Sequence, residues 1–480
     1  MPTAGTRSRW TLVVVLTAVF VDLLDASIAS VALPAIRSDL GASEADLQWF
    51  VAAYVLGLGA GLITGGRLGD RYGRRRLLLF GMGAFVVFSI ACALATSPAA
   101  LIAARALQGI AAAAMVPQVL AIIRSDFEGP ALARAFGAYG ATVGLASVAG
   151  PLFGGILVDA DLAGLGWRAI FWINVPIGLA AIAAGLAVIP ESRERHARGL
   201  DLPGALLGAA TVLLLLFPLV RGRELGWPGW LLIPVAAAVV TGAVFARWQR
   251  RTAAAGGDPL VEPSLLRDRG FIAGLGTAFL FFGGIGAFFL VLVIYLQLGT
   301  GRSALDSGLL LVPYALGSAI TSVLAVRVRP IAGRGQLATG ALLLAASNLL
   351  LLTVVAVVPV PAWWALAGPL ALGGVGLGLT APPLTGVVLA GIEPRTAGVA
   401  AGALNTVIQV GSAAGIAVFG TIFFATAESG GTTGAWREAL LATLPWTALA
   451  YALAAALIGL LPRPSPATPK TDADHHAELS

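Results

Sequence analysis

The chain has 480 residues, 58% of them hydrophobic and only 11% charged, with a mean hydropathy of +0.90 and a formal net charge of +6. Composition this apolar excludes a soluble domain of that size and describes an all-α integral membrane protein. A single cysteine, Cys92, and three histidines outside the apolar segments exclude a disulfide framework, a metal cluster and a His- or Cys-based nucleophile site, so an enzyme with its chemistry in the membrane is not expected.

Fourteen apolar segments can be read, at about 11–33, 47–66, 77–96, 100–123, 135–158, 167–189, 203–220, 229–248, 270–298, 306–327, 336–359, 362–391, 398–425 and 440–461. Alternating the loops between two sides puts 23 of the 30 Lys and Arg on one side, six (Arg37, Arg168, Arg221, Arg223, Arg302, Arg437) on the other, and Arg105 within a segment. By the positive-inside rule the basic side is cytoplasmic, which places both termini in the cytoplasm of a multi-pass cell-membrane protein. The basic balance is then a topology signal, not a sign of nucleic-acid binding. Trp10, Trp49, Trp167, Trp227, Trp230, Trp248, Trp363 and Trp364 lie close to segment ends, where an aromatic belt is expected.

The first segment, within Trp10–Pro34, carries two carboxylates, Asp22 and Asp25. Each disfavours insertion by roughly 2.5–3.5 kcal/mol, so a chemical role is expected of them, proton exchange first. Ala18, Asp22, Asp25, Ala29 and Ala32 recur at the four-three rhythm of one helix face, expected to meet protein or trapped water, while Val13, Phe20, Leu24 and Val31 form a bulky stripe expected to meet lipid. Arg7 and Arg9 before the apolar run and Ala29-Ser30-Val31-Ala32 within it also fit a cleaved signal peptide.

The run Leu24-Asp25-Ala26-Ser27-Ile28-Ala29-Ser30-Val31-Ala32-Leu33-Pro34 resembles the first-helix signature of drug:proton antiporters of the major facilitator superfamily, in the branch with fourteen helices. Asp25 stands at the signature's acidic position; Asp22 is an extra acid, whose other role would be a hydrogen bond to a neighbouring helix. Between the second and third segments, Gly66-Arg67-Leu68-Gly69-Asp70-Arg71-Tyr72-Gly73-Arg74-Arg75-Arg76 is similar to the superfamily's loop signature Gly-x-Leu-x-Asp-Arg-x-Gly-Arg-Arg. The resemblance implies that Gly66, Asp70, Arg71, Gly73, Arg74 and Arg75 form a cytoplasmic gating latch. In it Asp70 would dock against the N-terminus of the thirteenth segment near Gly398, where the positive end of the helix dipole lies, and Arg74 would pair with Asp126 at the inner end of the fourth.

In the fourth segment, Leu101-Ile102-Ala103-Ala104-Arg105-Ala106-Leu107-Gln108-Gly109 resembles a second signature, built around a membrane-embedded arginine. At about 1.5 Å per residue, Arg105 lies roughly 9 Å and Asp25 roughly 12 Å below the outer ends of their segments, so neighbouring helices would bring them level. Arg105 is then either a partner whose approach and withdrawal switch the carboxylate's hold on a proton or half of a permanent structural ion pair. The fifth segment contains Gly150-Pro151-Leu152-Phe153-Gly154-Gly155, in which small residues permit close helix approach and the proline kinks the helix. Gly150, Pro151, Gly154 and Gly155 match the signature that marks exporters within the superfamily, and Trp167–Pro176 is typical of its sixth helix.

Segments seven and eight carry no embedded charge and resemble an additional helix pair inserted between two six-helix halves. Arg327–Arg334 echoes the Gly66–Arg76 loop faintly, without the aspartate. Asn405 and Gln409, four apart on the thirteenth segment, either line a substrate pathway or tie helices together. The tail after Arg463 has a disordered composition, and its His475-His476 pair reads as solvent-exposed sequence.

The resemblance implies a major facilitator fold: a six-helix bundle over 1–190, a linker with two additional transmembrane helices over 191–250, a second six-helix bundle over 251–462 and a disordered cytoplasmic tail over 463–480. It also implies proton-driven export of hydrophobic or cationic drugs and antibiotics by alternating access, with Asp25, Asp22 and Arg105 coupling the proton. No cofactor and no metal are expected. The expected partners are small hydrophobic or cationic molecules, protons and the bilayer, with no nucleic acid, and the chain is expected to work as a monomer. A dedicated exporter of one endogenous metabolite, lipid or self-made antibiotic would use the same parts. A nutrient importer is at odds with Gly150–Gly155, and a transport-dead receptor or scaffold has no need of buried Asp25 and Arg105.

Overall fold

The computed structural model describes residues 4–161, 164–194, 199–222, 224–327, 333–358, 360–389, 392, 397–427 and 433–461, and the regular structure among them is entirely helical. The tail, both of its histidines and most of the Arg327–Arg334 loop lie outside the described residues. Eight α-helices form the first group: α1 Ala4–Val31, α2 Leu33–Leu40, α3 Glu44–Tyr72, α4 Arg74–Ala93, α5 Pro98–Asp126, α6 Gly129–Asp159, α7 Ala169–Trp172 and α8 Asn174–Val188. A pair follows, α9 Leu202–Arg221 and α10 Leu232–Ala254, and then α11 Arg269–Ile294, α12 Ala304–Arg327, α13 Arg334–Val357, α14 Trp363–Leu389, α15 Ala397–Ala427 and α16 Thr433–Ile458.

Local chemistry sets the breaks between them. Ser43 caps α3 reciprocally with Asp46, Ser97 caps α5 ahead of Pro98, and Asp201 and Asp268 cap α9 and α11, so these four helices start where a side chain takes up an orphaned backbone N–H. Gly73, at a φ of 114°, separates α3 from α4 by one residue and turns the chain inside the arginine-rich loop.

Thirteen spans among the described residues are long and apolar enough to cross a membrane. The difference from the expected fourteen is α6: it is a 31-residue helix, but its described apolar stretch, Ala149–Asp159, is shorter than a span. The sixth segment is also more broken than its composition suggests, running through a 3₁₀ turn at Gly166–Arg168 and α7 before α8.

The helix α1 packs against α5, α6 and α8 and touches α11 and α12, so it is an interior element of the fold. For the same reason the expected lipid stripe fails at two positions. Val13 is exposed, but Leu24 and Val31 are buried, because a helix packed on most sides by others has little face left for lipid.

Around α1, α3 and α4 pack on α5, and α4 on α8. Further along, α11 packs on α15 and α16, α12 on α14, and α13 on α14 and α16. The two sets meet through α3 against α15 and α6 against α12. The pair α9–α10 lies outside this arrangement, touching α3 and α15 through α9; only 22% and 11% of the residues in their most apolar stretches are buried, against 67% in α11.

Candidate functional site

Five helices converge on Asp25, which is wholly buried. Its Oδ2 accepts from Arg105 Nη1 at 2.5 Å, and its Oδ1 accepts from Asn174 Nδ2 at 2.7 Å and Gln108 Nε2 at 3.1 Å. Arg105 Nη1 also donates to Gln108 Oε1 at 2.8 Å, and Ser89 Oγ, which accepts from Asn174 Nδ2 at 2.9 Å, donates to the Phe171 carbonyl at 3.1 Å. The guanidinium is enclosed by rings: its Cζ lies 4.2 Å from the Tyr54 centroid, 5.1 Å from Phe50 and 5.8 Å from Phe171. A buried ion pair survives only with good geometry and further hydrogen bonds, and both are present. The expected meeting of Asp25 and Arg105 at one depth is therefore found. Gln108 and Asn174 complete it, and their signal lay in the sequence as amides within otherwise apolar helices.

Asp22, one helical turn away, has a different setting. It is 5% exposed, accepts a 2.5 Å hydrogen bond from Tyr54 Oη, and lines two adjoining cavities. One, of about 590 Å³, runs from Asp22 to Asp70 and Arg67 at the arginine-rich loop, with Asn405 and Gln409 in its opposite wall. The other, of about 370 Å³, lies deeper and is walled by Tyr54, Phe282, Phe289, Tyr314 and Gln409. Asp25 lines neither cavity, so the two carboxylates divide into one in a sealed network and one facing open space.

The molecule is shut at the end remote from the arginine-rich loop. Gln297 Nε2 donates to the Val31 carbonyl at 2.9 Å, and the Leu305 amide to Asp159 Oδ2 at 2.9 Å. The Gly-Pro-x-x-Gly-Gly run works here: a Cβ on Gly150 would stand 1.8 Å from Ser27 Oγ, and one on Gly308 would stand 2.3 Å from the Pro151 carbonyl. Gly154 packs against Ile28 and Gly155 against Ala304 and Leu305, so α6 is pressed between α1 and α12.

At the open end the latch has partners the sequence did not suggest. Arg74 pairs with Asp70 at 2.9 Å and Glu194 at 3.6 Å, and Arg76 with Glu191 at 3.5 Å. The Arg75 side chain donates to the Leu186 carbonyl, and Arg71 lies over the Tyr72 ring. Asp126 accepts from Ser125 and takes no part in the Arg74 pairing. Among the described residues Asp70 pairs with Arg74, and both Asp70 and Val399 of α15 line the 590 Å³ cavity. Arg74 instead lies within reach of Asp70 one turn before it and of Glu194 in the segment after α8, and these acids take up its charge. Gly66 lines this cavity, and Gly73 lies against the Glu191 carboxylate.

Residues 15–416 match the Major Facilitator Superfamily. The chain belongs to that superfamily. It is 40% identical over 421 residues to a protein of Streptomyces coelicolor named "Probable actinorhodin transporter", covering 87% of this chain and 72% of that one. It is 35% identical over 435 residues to the tetracenomycin C resistance and export protein of Streptomyces glaucescens, covering 88% and 77%. Among solved structures it resembles a bacterial homologue of the human drug peptide transporters PepT1 and PepT2, with a TM-score of 0.65 at 13% identity over 98% of this chain and all of that one, a likeness of fold. The superfamily member is thus a multi-pass membrane transporter whose relatives include antibiotic exporters and resistance proteins.

Proposed function

We propose that the protein is a proton-driven exporter of hydrophobic antibiotics or drugs, cationic ones included, working by alternating access. The observation that carries this is Asp22: a carboxylate in the wall of a cavity open at one end, one turn from a sealed Asp25–Arg105 pair. The superfamily and the names of its relatives support export of such compounds. In this account α6 is the fourteenth span, residues 1–190 and 251–462 are the two rocking halves, and 191–250 is the inserted pair. The basic end faces the cytoplasm, by the distribution of Lys and Arg. The compound enters there and meets Asp22, Asn405 and Gln409; protons entering from outside bind the Asp22–Asp25 pair. Asp70, held by Arg74 in this open state, re-pairs with the N-terminus of α15 when that end closes. The chain needs no cofactor, since the gradient drives the cycle, and acts as a monomer.

A second reading, export of one self-made antibiotic, is favoured by the 40% identity to the Streptomyces coelicolor protein, which is named for a single compound. Expression in a pump-deficient host separates the two. Lowered accumulation of several unrelated compounds, restored by a protonophore and by Asp22→Asn or Asp25→Asn, supports the broad exporter; an effect on one compound alone supports the dedicated one. Accumulation indifferent to a protonophore would defeat proton coupling.

A further inference from the structure

Two carboxylates in such different settings need a physical link if a proton at one is to be felt by the other. Tyr54 provides it. The side chain is 2% exposed; its hydroxyl donates to Asp22 Oδ1 at 2.5 Å while the face of its ring lies 4.2 Å from Arg105 Cζ. Its helix, α3, is held against α5 by backbone contact, since a Cβ on Gly109 would stand 2.1 Å from the Tyr54 carbonyl and one on Gly57 2.3 Å from that of Ala106. The ring and the guanidinium therefore sit on two closely packed helices, α3 and α5, whereas Asp22 and Asp25 belong to α1.

We propose that Tyr54 is the positioning residue that couples Asp22 to the Asp25–Arg105 pair; this rests on the proton-driven reading above. A phenol donating to an ionised carboxylate is polarised, which enriches its ring and strengthens the attraction for a cation on its face. With Asp22 ionised, Tyr54 holds Arg105 in competition with Asp25. With Asp22 protonated, the phenol loses its charged acceptor, the ring's hold relaxes and Arg105 is left to Asp25. The proton state of a residue in the cavity is thereby converted into the strength of an ion pair between α1 and α5. The other groups facing Asp22 are Asp25 on its own helix, Arg105 on α5 and, across the cavities, Tyr139 of α6 and Tyr314 of α12; Cys92 of α4 adjoins Arg105. None of these bridges the two carboxylates through a hydroxyl and a ring at once.

The test is an infrared pH titration of the purified full-length protein, following the protonated-carboxyl band that Asp22→Asn removes. Tyr54→Phe keeps the ring and deletes the donor, and the band's midpoint is expected to move by about one pH unit or more, the equivalent of one hydrogen bond to a charged group. Incorporating 3-fluorotyrosine at position 54 keeps the fold's contacts and strengthens the donor, and moves the midpoint the opposite way. In Tyr54→Leu, which also removes the ring, Asp25→Asn displaces the Asp22 midpoint less than it does in the native background. Unmoved midpoints in Tyr54→Phe and the fluorotyrosine protein, equal displacement in the two backgrounds, or no band that Asp22→Asn removes, would each overturn the assignment. Ethidium-driven proton release from vesicles holding the native protein decides the parent reading separately: protons released with an unmoved band sinks Tyr54 alone, and a moved band without proton release sinks proton coupling alone.

Discussion

The first and second halves of this molecule bury opposite kinds of chemistry. In the first, α1, α3, α5 and α8 surround two aspartates, an arginine and two amides with hydrogen bonds. In the second, the interior is aromatic. Phe288 and Phe289 pack on Tyr314, Phe281 on Tyr451, and every buried charged side chain among the described residues lies at or before Asp201. Both Tyr314 and Tyr451 bury hydroxyls that have no hydrogen-bond partner. One half thus holds charges that are worth something only when paired, while the other supplies polarizable walls that tolerate an unpaired hydroxyl. Charge sensing and much of the aromatic surface of the cavity are therefore assigned to different halves, joined where α3 meets α15 and α6 meets α12.

Substitution breaks this contrast most sharply at Arg105. Arg105→Ala strands a fully buried carboxylate and is expected to cost about 3–5 kcal/mol, seen as a large fall in thermal midpoint and in abundance; Asp25→Asn in the same chain restores part of it. Where the halves meet, Gly308→Val is expected to cost about 1–3 kcal/mol by driving a side chain into the Pro151 carbonyl. It should also loosen the shut end, raising the labelling of a Ser30→Cys reporter by an impermeant maleimide applied from that end. In the aromatic half, Tyr451→Phe removes an unpartnered hydroxyl and is expected to change stability by less than about 1 kcal/mol, in the stabilising direction.

The smallest effect lies outside the membrane, at Asp39. Hydrogen bonds from the Trp167 indole and the Arg168 guanidinium hold its carboxyl below the usual carboxylate range. A carboxyl lowered in the folded state adds stability above its unfolded value of about 4, lost as pH falls through the folded value. Asp39→Asn should therefore lower the thermal midpoint slightly at neutral pH, and the difference from the native protein should vanish in acid; the site is nearly half exposed, so screening keeps the effect small.

Much of this was legible in the chain because membranes make charge expensive. Asp22, Asp25 and Arg105 stood out against apolar segments, and similar depth, on helices that the family resemblance makes neighbours, matched Asp25 to Arg105. Other features depended on distance along the chain. The acids that hold Arg74 and Arg76, Glu194 and Glu191, lie more than a hundred residues away. Tyr54 carried no signal, since an aromatic in a membrane helix usually packs, and only the fold shows that its two ends meet different charges. Leu24 and Val31 misled for a related reason: helical periodicity tells which residues share a face, but not how many neighbours the helix has.

The most direct measurement is proton release driven by ethidium or puromycin in inverted membrane vesicles, run on the native protein, Asp22→Asn and Tyr451→Phe at matched abundance. Release from the native protein and Tyr451→Phe, with none from Asp22→Asn, is the predicted result. Undiminished release from Asp22→Asn would contradict the placement of proton exchange in the charged half.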